Sequence, residues 1–319
     1  MNLNLVCAPM AKSGSKWIEG IQANDPVSHA AKKTLRRRLR AVWKALVEAT
    51  DADHDNVEPI HQLRVATRRG MAAMQGYAEL LPRTKAAWIE KQLKRIRRCA
   101  GEARDFDVLT ERLRDRTDAE RLQPLIERLD DERRLARRPI EKTYRKLVRR
   151  NFRRRTKRLV RKIHRPRHCQ EATYVAWARV GMQRSIDAFF TAAGGDLNDI
   201  HALHQMRIEG KLLRYAVEHF GGAFGPEIRD RLYPQIEQAQ VLLGKINDHA
   251  SAMTHYESWR AQWEDVELTP LLDELIANEN DALHDGRQEF YRWWTTPRAA
   301  ELKQQFVDLL QLPSREDVA

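Results

Sequence analysis

Apolar residues recur at steps of three and four along nearly the whole chain, and nowhere alternate with polar ones as a half-buried strand requires. The pattern predicts a helix from Pro26 to about Thr50, an acidic loop DADHDNVEP, and a second helix to about Leu81 with Pro59 in its first turn. Pro82 stops that helix. A third runs from about Lys85 to Arg116, and a fourth, long and basic, from about Asp118 to His164, with a break near Pro139 or Asn151. Pro166 closes this half. The layout then repeats, with helices from about Glu171 to Ala193, Ile200 to Phe220, Glu227 to Trp263 and Pro270 to Leu312, the first two followed by the loops GGDLND and GGAFGP. Residues 1–25, which include Trp17, read as an irregular lead-in. Four helices, twice over, with short connections predict an all-α protein of two antiparallel four-helix bundles, residues 26–167 and 168–319.

Composition supports this. A length of 319 residues suits about two domains. With 14 Gly and 12 Pro there are few chain-breakers, and 42% hydrophobic residues can build a core. No apolar run approaches the roughly 20 residues of a membrane span. The segment MNLNLVCAPMAKSG lacks the basic and apolar regions of a secretory signal. Three widely spaced cysteines (Cys7, Cys99, Cys169) exclude a disulfide scaffold and a cysteine-type zinc site, and suit a reducing cytoplasm.

Charge changes the picture more. Residues 1–168 hold 43 Lys/Arg against 21 Asp/Glu; residues 169–319 hold 14 against 24. Between Arg133 and Arg167 stand eighteen Lys/Arg in 35 residues, with Glu141 as the one acid. Like charges four apart destabilise a helix by a few tenths of a kcal/mol per pair, so a helix that accepts many of them points to an anionic partner.

The candidate chemistry lies in a repeat. HQLRVATRRGMAAMQGY starts at His61 and HQMRIEGKLLRYAVEHF at His204, an offset of 143 residues. Each copy has a basic residue seven on from its histidine, Arg68 and Lys211. A second pair, CAGEARDFDVL and LLGKINDHASA, keeps the same offset at Gly101 and Gly244, Arg104 and Asn247, Asp105 and Asp248. Two motifs in one register indicate an internal duplication. At about 100° per residue, Arg64, Arg68 and Gln75 share the His61 face, while Leu63, Ala66, Gly70, Ala73 and Tyr77 form the opposite one. Likewise Arg207, Lys211 and Arg214 share the His204 face, opposite Met206, Leu213, Ala216 and Phe220, with Glu209 intruding on the apolar side. Two such faces about a pseudo-twofold would line one basic groove. Arginine offers a planar fork that fits phosphate oxygens and lysine a compact charge, at steps of about 5–6 Å. A nearby phosphate would favour the doubly donating form of each histidine. Asp105, Asn247 and Asp248 suit internal hydrogen bonds that orient the helices.

These residues closely resemble the CHAD family (conserved histidine α-helical domain), from about Trp17 to beyond residue 300. The resemblance implies two four-helix bundles about a pseudo-twofold, a basic central channel, binding of inorganic polyphosphate without catalysis, and association with polyphosphate granules. It implies ligand residues His61, Arg64, Arg68 and Arg69 in the first copy and His204, Arg207, Lys211 and Arg214 in the second, with Arg36, Arg37 and Arg40 as additions. No cofactor or metal is implied. Met71 stands where the second copy has Arg214, and YVAWARVGMQRS carries only Arg179 and Arg184, so binding should lean on the first half.

Rival readings carry less. No E-x-E-x-K motif or β-rich segment supports the triphosphate-tunnel enzyme sometimes fused to such domains, no H-E-x-x-H is present, and Ala239 breaks a phosphate loop before Gly244-Lys245. His54-Asp55 and His284-Asp285 suggest a helical metal phosphohydrolase only weakly. Asp51, Asp53 and Asp55 imitate a calcium loop, but Asn56 replaces its glycine and Gln62 its closing glutamate. Nucleic-acid binding is the stronger alternative. Against it, the runs from Lys32 to Arg40 and from Arg145 to Arg167 offer only Phe152 for stacking. An acidic second half would suit docking of granule-associated proteins.

Overall fold

The computed structural model describes residues 16–53, 56–163, 171–263 and 267–311. Among these residues there is no β-strand, only an isolated bridge between Pro26 and Thr173. The helices are α1 (Val27–Asp51), α2 (Glu58–Gly76), α3 (Arg83–Arg114), α4 (Gln123–Arg149), α5 (Phe152–Arg161), α6 (Tyr174–Ala193), α7 (Ile200–Phe220), α8 (Tyr233–Trp263), α9 (Leu268–Trp293) and α10 (Thr296–Gln311). A π turn, Ile228–Leu232, leads into α8.

The expected fourth element of each half is two helices rather than one. In the first half the chain breaks at Asn151, which adopts φ 54°, a left-handed conformation that asparagine tolerates. Pro139 stays inside α4; the carbonyl it frees, that of Leu135, belongs to a residue 46% exposed. In the second half the break falls at Trp294 and Thr295, between α9 and α10. The second predicted helix is also shorter: α2 ends at Gly76, and a 3₁₀ turn, Ala78–Leu80, completes the approach to Pro82. Adding 143 to the starts of α1 to α5 lands within four residues of the starts of α6, α7, the π turn, α9 and α10. Each half packs in the same order. α1 lies on α2, α2 on α3 and α3 on α4, with α5 returning to α1; α6 lies on α7, α7 on α8 and α8 on α9, with α10 returning to α6.

Among the described residues the halves meet in the main core and in a second, separate one. In the main core the starts of α1 and α6 are laced together, Val27 donating to the Ala172 carbonyl (3.0 Å), Tyr174 to that of Asp25 (2.8 Å) and the Ser28 N–H to Glu171 Oε1 (2.7 Å). α2 lies against α7. There Phe220 is wedged so closely that a Cβ on Gly76 or Gly181 would stand 3.0 or 2.9 Å from its ring. The ends of the α3–α4 and α8–α9 hairpins share a separate core. Phe106 stacks on Trp259 at 5.9 Å, Trp259 on Trp263 at 5.1 Å, and Arg121 pairs with Glu274 at 2.6 Å. Arg112 Nη2 lies 2.6 Å from Glu279 Oε1 and 3.3 Å from His249 Nδ1.

Candidate anion-binding site

Along α3, Ala103 is the last residue of the main core and Phe106 the first on the second; along α8 the changeover falls between Ile246 and Ala252. Arg104, Asp105, Asn247 and Asp248 stand at these changeovers, facing α2 and α7. The apolar faces predicted for those two helices are buried, Leu63, Gly70, Ala73 and Tyr77 on one and Met206, Leu213, Ala216 and Phe220 on the other. That packing sets His204 against Asn247, and Arg64 and Arg207 against Asp105 and Asp248.

The two copies are built alike. Arg64 Nη1 donates to the Gly101 carbonyl (3.0 Å) and to Asp105 Oδ1 (3.2 Å). At the equivalent place Arg207 lies 3.9 Å from Asp248. His204 Nδ1 is 2.9 Å from Asn247 Oδ1, and the Asn247 amide donates to Ser251 (3.2 Å). The first copy has Arg104 where the second has Asn247, and it donates to Glu111 (3.2 Å). Burial, followed by the charge of Arg104, lowers the His61 pKa.

Cations from both halves converge. Burial lowers the pKa of Arg64, with Arg68 next among the causes. Burial likewise lowers that of Arg207, opposed by Asp248 and reinforced by Arg68 and Arg64 from the other half. The effect is largest at Lys211, whose pKa is pushed down to about 6 by burial, then by Arg207 and by Arg68 across the interface. Arg68 and Lys211 have no hydrogen-bond or ion-pair partner among the described residues. Five basic side chains, His61, Arg64, Arg68, Arg207 and Lys211, thus share one electrostatic neighbourhood, in which Glu58, Asp105 and Asp248 are the acids that act on them among the described residues.

Other expected ligand residues sit elsewhere. Arg69 is held by Glu218, donating from Nε at 2.6 Å and Nη2 at 3.0 Å. The Glu218 side chain is 0% exposed and also accepts from the Tyr233 hydroxyl (3.0 Å), with Arg38 at 3.9 Å and Arg214 at 4.0 Å. Arg69 and Arg214 therefore neutralise a buried carboxylate between the halves, although Arg214 still adds its charge at Lys211. Arg36 and Arg40 lie with Lys157 and Arg161 around a cleft of about 260 Å³ between α1 and α5. Arg37 is half-buried and acts on Arg38.

Sequence reasoning missed Glu218, whose signal was an acid four residues after Arg214 on an otherwise basic face. It also read Arg133 and Arg137 as part of a ligand-facing run. They point inward instead, pairing with the fully buried Asp107 at 2.7 and 3.4 Å, and Arg137 also holds the Asp53 and Asn56 carbonyls. Glu209, the odd acid on α7, accepts from Gln205 (2.8 Å) and lines a cleft of about 540 Å³ with Trp177, Val180 and Leu212, away from the histidine faces.

Among the described residues no group of three or more His, Cys, Asp and Glu is placed to hold a metal, and no helix is long and apolar enough to cross a membrane. His284 and Asp285 are both exposed on α9. His54 and Asp55 of the other doublet, Cys7 and Cys169 lie outside the described residues. Cys99 is a free thiol beside Thr143.

Helix order and packing define an all-helical protein among the described residues. Residues 33–257 match the CHAD domain model, and the chain belongs to the CHAD domain family. Its fold is similar to the crystal structure of the CHAD domain from the plant Ricinus communis, with a TM-score of 0.67 and 22% identity over 86% of this chain and 96% of that one. It is also similar to PptA from Streptomyces chartreusis, with a TM-score of 0.61 and 17% identity over 87% of this chain and 100% of that one. No curated protein sequence matches the chain.

Proposed function

We propose that the chain is a duplicated pair of helical units whose facing α2 and α7 surfaces line a basic channel that binds inorganic polyphosphate without turning it over. One observation carries the reading: Lys211 of the second half is buried beside Arg207 and within reach of Arg68 of the first half, and burial first, then those two cations, push its pKa down to about 6. Such a cluster holds more positive than negative charge. A row of phosphates supplies the balance, gaining charge-assisted hydrogen bonds from the arginine forks. Two of the carboxylates that face the cluster, Asp105 and Asp248, each stand beside an arginine and orient it. Membership of a family linked to polyphosphate selects this polyanion among those that charge alone would admit. Residence at polyphosphate granules in the cytoplasm, with granule proteins as partners, is part of the same proposal.

The test is a competition titration near physiological salt. Labelled long-chain polyphosphate is bound, then challenged with single-stranded DNA, RNA, heparin, ATP and orthophosphate. Polyphosphate should win by orders of magnitude at matched charge, and its affinity should fall steeply with salt. Changing Arg64, Arg68, Arg207 and Lys211 together to Glu should abolish binding while the helical circular-dichroism signal persists. Tight binding by that folded variant refutes the site.

A further inference from the structure

The densest charge on the molecule is not in the central cluster. It is on α5 and the end of α4, where Arg149, Arg150, Arg153, Arg154, Lys157 and Arg158 are all exposed. The second half acts as an internal control. α10 returns to α6 as α5 returns to α1, yet the residues 143 on from Arg40, Lys157 and Arg161 are Gln183, Ala300 and Gln304. The fold therefore needs the helix but not its charge, and the charge calls for another explanation.

The structure also brings aromatic rings to this surface from other elements. Trp43 of α1 and Tyr144 of α4, both partly exposed, lie 5.6 Å apart, and Trp43 stacks on Phe152 of α5 at 5.9 Å. They line a cleft of about 510 Å³ whose rim is Arg153, Arg154 and Lys157. Lys157 also borders the cleft formed by Arg36, Arg40 and Arg161, so the aromatic cleft continues into a double row of cations. Within each row the steps are four residues, which sets charges about 6 Å apart. The position equivalent to Trp43 in the second half is Ile186, so the ring is lost together with three of the four cations, Arg179 alone keeping the charge of Arg36.

We propose that the α1–α4–α5 surface is a second, independent site that binds single-stranded nucleic acid, with a base against Trp43 and Tyr144 and the phosphates along Lys157, Arg36, Arg40 and Arg161. Bare phosphates have no use for an aromatic cleft; a strand whose bases have π-faces does. The basic runs are poor in aromatics only when read along the chain, because the rings arrive from neighbouring helices.

Fluorescence anisotropy with a labelled oligo-dT of about twelve nucleotides tests this on the full chain, alongside labelled long-chain polyphosphate. Arg154→Glu with Lys157→Glu should weaken the oligonucleotide at least about tenfold and flatten its salt dependence. Arg36→Glu with Arg40→Glu, on a different helix, should do the same, which guards against a local folding defect. Arg68→Glu with Lys211→Glu should leave the oligonucleotide within about threefold, and an abasic strand of equal length should bind about tenfold more weakly. Equal binding of the abasic strand overturns the proposal. So does an oligonucleotide affinity that follows the central variant, or a loss of polyphosphate with the α5 variant as large as that of the oligonucleotide. Failure here leaves the central site to its own variants.

Discussion

Lys211→Met should make the protein more stable and a poorer binder at once. Lys211 is displaced from its ordinary 10.5 to about 6, a penalty of about 6 kcal/mol against its charged form. The unfolded chain keeps this proton up to about pH 10. Between the two values the unfolded state binds the extra proton, so the cost to folding is complete below pH 6 and fades as pH rises. Methionine keeps the length of the chain and removes the ionisable group. After neighbours and water relax, a gain of about 2–3 kcal/mol at pH 7 is expected, larger at pH 6 and smaller at pH 9, read from thermal and urea unfolding. Bound phosphates would restore the charge of Lys211, so wild type should take up close to one more proton than the variant when polyphosphate binds at pH 7.5. Calorimetry in two buffers of different ionisation enthalpy counts that proton. Wild-type affinity should weaken as pH rises above 6, and the variant should lose most of that slope. Equal melting temperatures from pH 6 to 9 with unchanged proton uptake would show that Lys211 is not strained by its burial among those cations.

Asp107→Asn should cost about 3–5 kcal/mol in urea unfolding, because it removes the buried carboxylate that Arg133 and Arg137 share; a loss under about 1 kcal/mol would mean that Asp130, 3.5 Å from Arg133, and the backbone carbonyls held by Arg137 already carry those charges. Gly181→Ala places a methyl 2.9 Å from the Phe220 ring and should cost about 1–3 kcal/mol. A neutral result there would show that the Phe220 wedge slides freely between the halves.

The all-helical fold was legible because it is written locally. Steps of three and four set the helices, prolines and glycines set their ends, and the offset of 143 was visible in His61 and His204 before any contact was known. So was the division of each motif helix into an apolar and a basic face, since that follows from the angle per residue alone. The break at Asn151 rather than Pro139 was only half legible, because a proline is tolerated wherever solvent can satisfy the carbonyl it frees. Which arginines stay charged towards a ligand was not legible at all. Arg68 and Arg69 are neighbours in sequence, yet one joins the central cluster and the other closes on Glu218, a carboxylate 149 residues away. Arg133 and Arg137 belong to the same run as Lys157, yet the former neutralise Asp107 while the latter is exposed. Sequence spacing determined the faces of the helices. Their partners depend on which distant carboxylate or ring each face meets, and that is decided only when the two halves pack and exclude water between them.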